Sequence, residues 1–72
     1  MRSIGKKNIK RLKQIVAEEI KKRTDRFGQV YWYGLEEEVI KRCPAEWWDI
    51  WECADQEIRR IVDDEIFGYV SK

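Results

Sequence analysis

The chain has 72 residues and a net charge of +1; 40% of its residues are charged and 43% are hydrophobic. This composition is too apolar and aromatic for a disordered chain, so we expect a single folded domain over residues 1–72. Because no run of about 20 apolar residues is present and the start lacks a secretion signal, we expect a cytoplasmic or nucleoid-associated, intracellular protein with no membrane contact.

The first predicted element is a helix at about residues 8–24, which follows a basic N-terminal arm over residues 1–7. Asn8 is a suitable N-cap, and the cations of the last turn suit a helix C-terminus. Apolar residues recur at helical spacing along one side: Ile9, Leu12, Val16 and Ile20. Mostly basic residues, with Gln14 and Glu18 among them, fall on the opposite side of the helical wheel: Lys7, Lys10, Arg11, Gln14, Glu18, Lys21 and Lys22.

The next segment, FGQVYWYG, lies between glycines and is rich in β-branched and aromatic residues. These features predict a short strand at residues 29–33. Alternation along a strand places Val30 and Trp32 on one face and Tyr31 and Tyr33 on the other. One pair of side chains is therefore expected to face solvent.

Two further helices are predicted around the only proline. The first covers residues 34–43 and ends before Pro44, because proline disfavours helical geometry in the residue that precedes it. Pro44 suits the start of the second helix, which is predicted over residues 44–66 and either continues or breaks near Cys53, with Asp55 as a cap for the last part. A short strand at residues 68–71 follows Gly68.

Three of the four tryptophans lie within AEWWDIWECA. On a helical wheel Trp47 and Trp51 share the apolar stripe, and Ile50 lies beside it. Trp48 falls in a sector that is mostly charged. We therefore expect Trp47 and Trp51 in the core, whereas Trp48 either packs against a neighbouring element or contacts a partner.

The tail DQEIRRIVDDEIFGYVSK resembles the end of the recognition helix of winged helix-turn-helix domains and the wing strand that follows it. The resemblance covers residues 8–72 and implies a mainly α, compact three-helix domain with at most a two-stranded β-ribbon. It also implies that Gln56, Arg59 and Arg60 occupy the outward positions of a DNA-reading helix. The alternative from the residues alone is an all-α three-helix bundle.

Charge is distributed unevenly along the chain. Residues 1–26 carry ten Lys or Arg and three Asp or Glu, a net charge of +7, whereas residues 27–72 have a net charge of −6. This asymmetry is typical of an arm that contacts nucleic acid. It is also typical of oppositely charged surfaces that attract each other within one chain or between copies, so a homodimer is an alternative.

These patterns predict a small regulator that binds nucleic acid. The predicted contacts are basic: Arg2, Lys6, Lys7, Lys10, Arg11, Lys21, Lys22, Arg59 and Arg60. The alternative is a protein-interaction module or small inhibitor whose contacts are Trp48, Tyr31, Tyr33 and an acidic helix surface. A solvated helix face also accounts for the basic flank.

Catalysis, cofactors and metal binding are not predicted. The chain has no histidine to activate a nucleophile, its glycines are scattered and its consecutive carboxylates point in different directions on a helix. Cys43 and Cys53 lack the CxxC spacing of zinc sites. If one helix contains the segment between them, their separation prevents a disulfide, and we expect both thiols to be free.

Overall fold

The computed structural model describes residues 4–70, which form four helices in the order α1 (Gly5–Lys22), α2 (Leu35–Arg42), α3 (Trp47–Ile50) and α4 (Ala54–Val70). Helices α1, α2 and α4 pack against one another, and the short α3 packs against α4. The prediction of a compact, mainly helical domain is confirmed for this part of the chain.

The core lies between the three longer helices and also contains Trp47 and Trp51. Its least accessible side chains come from every helix: Leu12, Val16, Leu35, Val39, Trp47, Ile58 and Val62. The apolar positions of α1 that the periodicity indicated therefore face α2 and α4. Burial of this apolar surface is the main term that stabilises so small a domain.

Helix α1 begins at Gly5, which is earlier than predicted, so residues 5–7 of the expected arm belong to the helix. Asn8 is not its N-cap. The Asn8 side-chain amide lies inside the first turn and donates to the carbonyl of Ile4 at 2.9 Å. The buried Ile4 joins the core and holds this end of the helix against the domain.

The strand predicted at residues 29–33 does not form; one isolated antiparallel bridge joins Thr24 to Val30. A strand needs a continuous partner, and the second strand of the expected ribbon is also missing among the described residues. The alternation of faces is nevertheless confirmed. Val30 and Trp32 pack against the core, whereas Tyr31 and Tyr33 are exposed.

The strand predicted at residues 68–71 is wrong at positions 68–70, because α4 continues through Gly68 to Val70; Ser71 lies outside the described residues. Glycine costs a helix interior about 1 kcal/mol relative to alanine, which tertiary contacts readily offset. Here Ile66 packs on the core, and the ring of Tyr69 meets Trp32 edge-on at 5.9 Å between centroids.

The predicted helix over residues 44–66 is broken, as the alternative prediction had it, and its first part begins at Trp47 rather than at Pro44. Trp51 has an extended backbone after α3, and Cys53 adopts a left-handed conformation with φ of 57° just before α4. Asp55 lies inside the first turn of α4 rather than capping it. The indole Nε1 of Trp51 donates to Glu57 Oε2 at 2.7 Å, which ties the break to α4.

Both cysteines are free thiols, as predicted, although the helix between them is broken. Cys43 is buried, and its Sγ donates to the carbonyl of Val39 at 3.2 Å. Burial raises the pKa of the Cys43 thiol. Cys53 is exposed on the turn that precedes α4.

We therefore expect the two thiols to differ in reactivity. A thiol-specific disulfide reagent should modify Cys53 of the native protein at least about tenfold faster than Cys43, because the reactive species is an accessible thiolate. Both thiols should react equally after denaturation. Two equally fast thiols in the native protein would contradict the burial of Cys43, and no titratable thiol after denaturation without reductant would reveal a disulfide.

Candidate functional site

The outward side of α1 carries many long polar side chains, with Ala17 and Glu18 in the turn between Gln14 and Lys21. We call it the basic face; it consists of Lys6, Lys7, Lys10, Arg11, Gln14 and Lys21, all of them exposed. They are exposed because the opposite side of α1 is occupied by Leu12 and Val16 in the core. From Lys7 to Lys21 the face extends along about 21 Å of helix, at about 1.5 Å per residue.

Ion pairs distinguish the basic face from the other cations. Lys13 lies 3.6 Å from Glu65, Lys41 lies 3.5 Å from Glu38, and Arg42 bridges Glu18 and Glu19. Between residues 4 and 70, by contrast, no carboxylate lies within 4 Å of a cation of the basic face. Its charge is therefore available to a ligand.

Glu18 is the acidic residue that adjoins the basic face on α1. The hydrogen bond and the charge of Arg42 lower the pKa of Glu18, with smaller contributions from Lys22 and Arg11. The neighbouring Glu19 is buried and accepts from Arg42 Nη1 at 3.1 Å, while Lys22 lies 3.4 Å from the same carboxylate. Arg42 of α2 thus holds these acidic charges on the side of α1 that faces α2.

A shallow groove lies on the N-terminal part of the basic face. It has a volume of about 410 Å³ and is lined by Lys7, Asn8, Lys10, Arg11 and Gln14. Every lining side chain carries N–H donors, and none carries a carboxylate. Such a groove suits an oxyanion, and the groove's openness suits a polymer that passes over the surface rather than an enclosed small molecule.

The α4 arginines that the winged-helix resemblance implicated are in a different environment. Arg59 pairs with Asp55 at 3.2 Å and with Glu36 at 3.4 Å. The hydrogen bond and charge of Asp55, followed by Glu36, raise the pKa of Arg59. Arg60 is exposed, but Asp63 and Asp64 lie one turn farther along the same helix. These cations are poorly placed to attract phosphates.

Arg2 lies outside the described residues. Lys22 is exposed at the end of α1 and forms an ion pair with Glu19. The structure thus brings most of the predicted α1 cations to one surface and leaves the two α4 arginines on another element.

The predicted burial of the tryptophans is confirmed. Trp47 and Trp51 are 1% and 3% exposed and meet edge-on, with 6.4 Å between ring centroids. Trp48, which the helical wheel placed away from the apolar stripe, is 39% exposed, and Ile50, the last residue of α3, is also exposed. An exposed aromatic and an exposed aliphatic side chain therefore lie together on α3.

The other predicted protein contacts, Tyr31 and Tyr33, are 65% and 81% exposed. Their ring centroids lie 6.3 Å apart, and no ring pair within residues 4–70 joins either of them to Trp48. Phe27, which the sequence patterns did not single out as a contact, is 76% exposed in the same loop. The available signal for its exposure was the position of Phe27 directly before Gly28, in a sequence that suits a turn.

No three His, Cys, Asp or Glu residues of the described part are grouped so that they could hold a metal ion. None of its helices combines the length and the apolar composition that crossing a bilayer requires.

No family model, curated protein or solved structure matches the chain, so the resemblance to winged-helix domains is not shown.

Proposed function

We propose that this protein binds nucleic acid without catalysing a reaction on it, and that the basic face of α1 contacts the phosphates. The observation that carries the proposal is the set of exposed cations on one side of one helix that have no ion-pair partner within residues 4–70. Phosphate contacts by Lys and Arg supply most of the sequence-independent affinity for nucleic acids.

The extent of the basic face supports a polymeric ligand. Phosphates follow each other at about 3.4 Å of axial rise per strand, so about 21 Å of helix corresponds to roughly six nucleotides. Gln14 lies between Lys10 and Lys21 and adds a neutral hydrogen-bond donor. The proposal does not require a winged-helix scaffold or a role for α4.

Binding of fluorescein-labelled DNA, measured by anisotropy in about 50 mM salt, tests the proposal. We expect saturable binding that weakens steeply when the salt is raised to about 200 mM, because each phosphate contact releases a counterion. Absence of binding to both single-stranded and duplex DNA at low salt would contradict the proposed function.

We also propose a second candidate, a protein contact centred on α3, for which Trp48 and Ile50 provide the support. Trp48 is 39% exposed and Ile50 is 47% exposed in a domain that buries Trp47 and Trp51 almost completely. Tryptophan is enriched among residues that dominate binding energy at protein interfaces. Trp48→Ala should abolish such a contact while the domain stays folded, because this ring is 39% exposed.

A further inference from the structure

The loop between α1 and α2 exposes three aromatic rings. We call residues 23–34 the aromatic loop; its exposed rings are Phe27, Tyr31 and Tyr33, which are 76%, 65% and 81% accessible. Trp32, in the same loop, instead packs against the core and Tyr69. The loop therefore contains both an anchoring ring and rings that the domain leaves in solvent.

Backbone and carboxylate hydrogen bonds hold the tip of the aromatic loop in place. The N–H of Asp25 donates to the carbonyl of Gln29 at 2.8 Å. The Asp25 carboxylate accepts from the N–H groups of Phe27 and Gln29 at 2.9 and 3.0 Å. Gly28 has φ of 81°, a left-handed conformation that glycine adopts without a steric penalty. Phe27 is thus presented on a defined turn.

Arg23 organises the other end of the aromatic loop. Its guanidinium donates to the carbonyls of Tyr31 and Tyr33 at 3.3 and 2.6 Å. The N–H of Tyr31 donates to the Arg23 carbonyl at 3.0 Å. These contacts fix the backbone that carries both tyrosines, so a ligand need not order the loop when it binds.

Cations accompany the exposed rings. The guanidinium carbon of Arg23 lies 5.9 Å from the ring centroid of Tyr31, and that of Arg26 lies 5.0 Å from the ring centroid of Phe27. The only acidic side chain of the loop, Asp25, is engaged by backbone N–H groups. Lys21 of the basic face lies in the last turn of α1, so the aromatic loop follows the C-terminal end of this face in the chain.

We propose that the aromatic loop and the basic face together bind single-stranded nucleic acid, with bases stacked on Phe27, Tyr31 and Tyr33 and phosphates on α1. This inference rests on the proposed function and specifies its ligand. Bases in a duplex stack on each other and offer no open ring face, whereas those of a single strand do. Exposed aromatics beside a basic track are the features that single-strand-binding proteins use.

The test compares single strands with duplex for the parent protein and for Phe27→Leu/Tyr33→Leu. Labelled oligothymidylate and oligouridylate of about 20 nucleotides serve as single strands, and a duplex of equal length serves as the third probe. We expect the parent to prefer single strands, and the variant to lose at least about 30-fold in affinity for them while its duplex affinity changes by less than about twofold. Equal affinity for the two single strands would mean that the protein does not discriminate DNA from RNA. A preference for one of them would identify the ligand as DNA or as RNA. Either result supports the inference.

Two control variants make the result specific. Phe27→Tyr/Tyr33→Phe keeps both ring faces and should retain the parent's affinity. Trp48→Leu removes an exposed ring from α3 and should also leave nucleic-acid affinity unchanged. Circular dichroism and the urea midpoint establish that each variant is folded, which is expected because Phe27 and Tyr33 lie outside the core.

The outcomes separate this inference from the proposed function. Binding of duplex and single strands with equal affinity, unaffected by Phe27→Leu/Tyr33→Leu, would overturn stacking and leave phosphate binding by α1 intact. An equal loss of duplex and single-strand affinity in that variant would overturn it as well. Failure of the parent to bind any probe would overturn both.

Discussion

Replacing Trp47 with alanine should lower the free energy of unfolding by about 3–5 kcal/mol, because it removes a large side chain that is 1% exposed. Trp51→Ala should cost a similar amount, since it removes the edge-on contact with Trp47 and the hydrogen bond to Glu57. A loss of this size is a large share of the stability of a small domain. Circular dichroism should show whether either variant remains folded, and Trp47→Phe offers a milder change.

Trp48→Ala is the matched control on the same short segment. Its ring is 39% exposed, so we expect a cost below about 1 kcal/mol. Urea midpoints of the three alanine variants beside the parent provide the comparison. A Trp48→Ala loss as large as the other two would mean that its ring supports the core, and the proposed protein contact on α3 would then lose its support.

Neutralising three lysines of the basic face should weaken nucleic-acid binding strongly. For Lys7→Gln/Lys10→Gln/Lys21→Gln we expect a loss of roughly 10- to 100-fold at low salt, because about three phosphate contacts are removed. All three side chains are exposed and have no ion-pair partner within residues 4–70, so the urea midpoint should stay close to that of the parent. Anisotropy titrations with one labelled oligonucleotide measure the effect.

A second triple variant controls for net charge. Lys41→Gln/Arg59→Gln/Arg60→Gln removes the same number of charges, two of them from cations that form ion pairs with acidic side chains. We expect it to retain affinity within a few fold, since only long-range attraction is reduced. A loss equal to that of the α1 variant would indicate that net charge or α4 controls binding, contrary to the proposed interface.

Much of the helical architecture followed from periodicity and from Pro44. The apolar spacing of Leu12 and Val16 identified the buried side of α1, and the wheel distinguished Trp47 from Trp48 although the helix that contains them is only one turn long. Ile50, which the wheel placed beside the apolar stripe, is exposed as the last residue of α3. Helix ends depend on tertiary contacts such as that between Trp51 and Glu57.

Both predicted strands failed for the same reason. Aromatic and β-branched residues around Tyr31 fit a strand, but a β-ribbon needs a second strand to pair with. The segment at Gly68 does not supply that strand, because it extends α4 and brings Tyr69 into contact with Trp32. Strand propensity reflects packing against neighbours rather than an intrinsic backbone preference. Local sequence therefore did not distinguish a structured loop from a strand at residues 29–33.

The candidate interface was predictable in part. Sequence showed that cations concentrate in α1, but not which of them are neutralised, because Arg42 and Glu18 are 24 positions apart and meet only in the folded domain. The same limit applied to Arg59, whose partner Glu36 lies on α2. Phe27 was missed as a contact because its exposure depends on the turn that Asp25 stabilises.

The salt dependence of binding to one labelled single strand, compared between the parent and Lys7→Gln/Lys10→Gln/Lys21→Gln, examines the phosphate contacts themselves. On a single strand, the slope of log K against log salt becomes shallower by about 0.7 for each phosphate that the protein no longer neutralises. We predict that the triple variant has a slope shallower than the parent's by about 2. Identical slopes for the two proteins, whatever their affinities, would contradict the assignment of the basic face of α1 as the nucleic-acid interface.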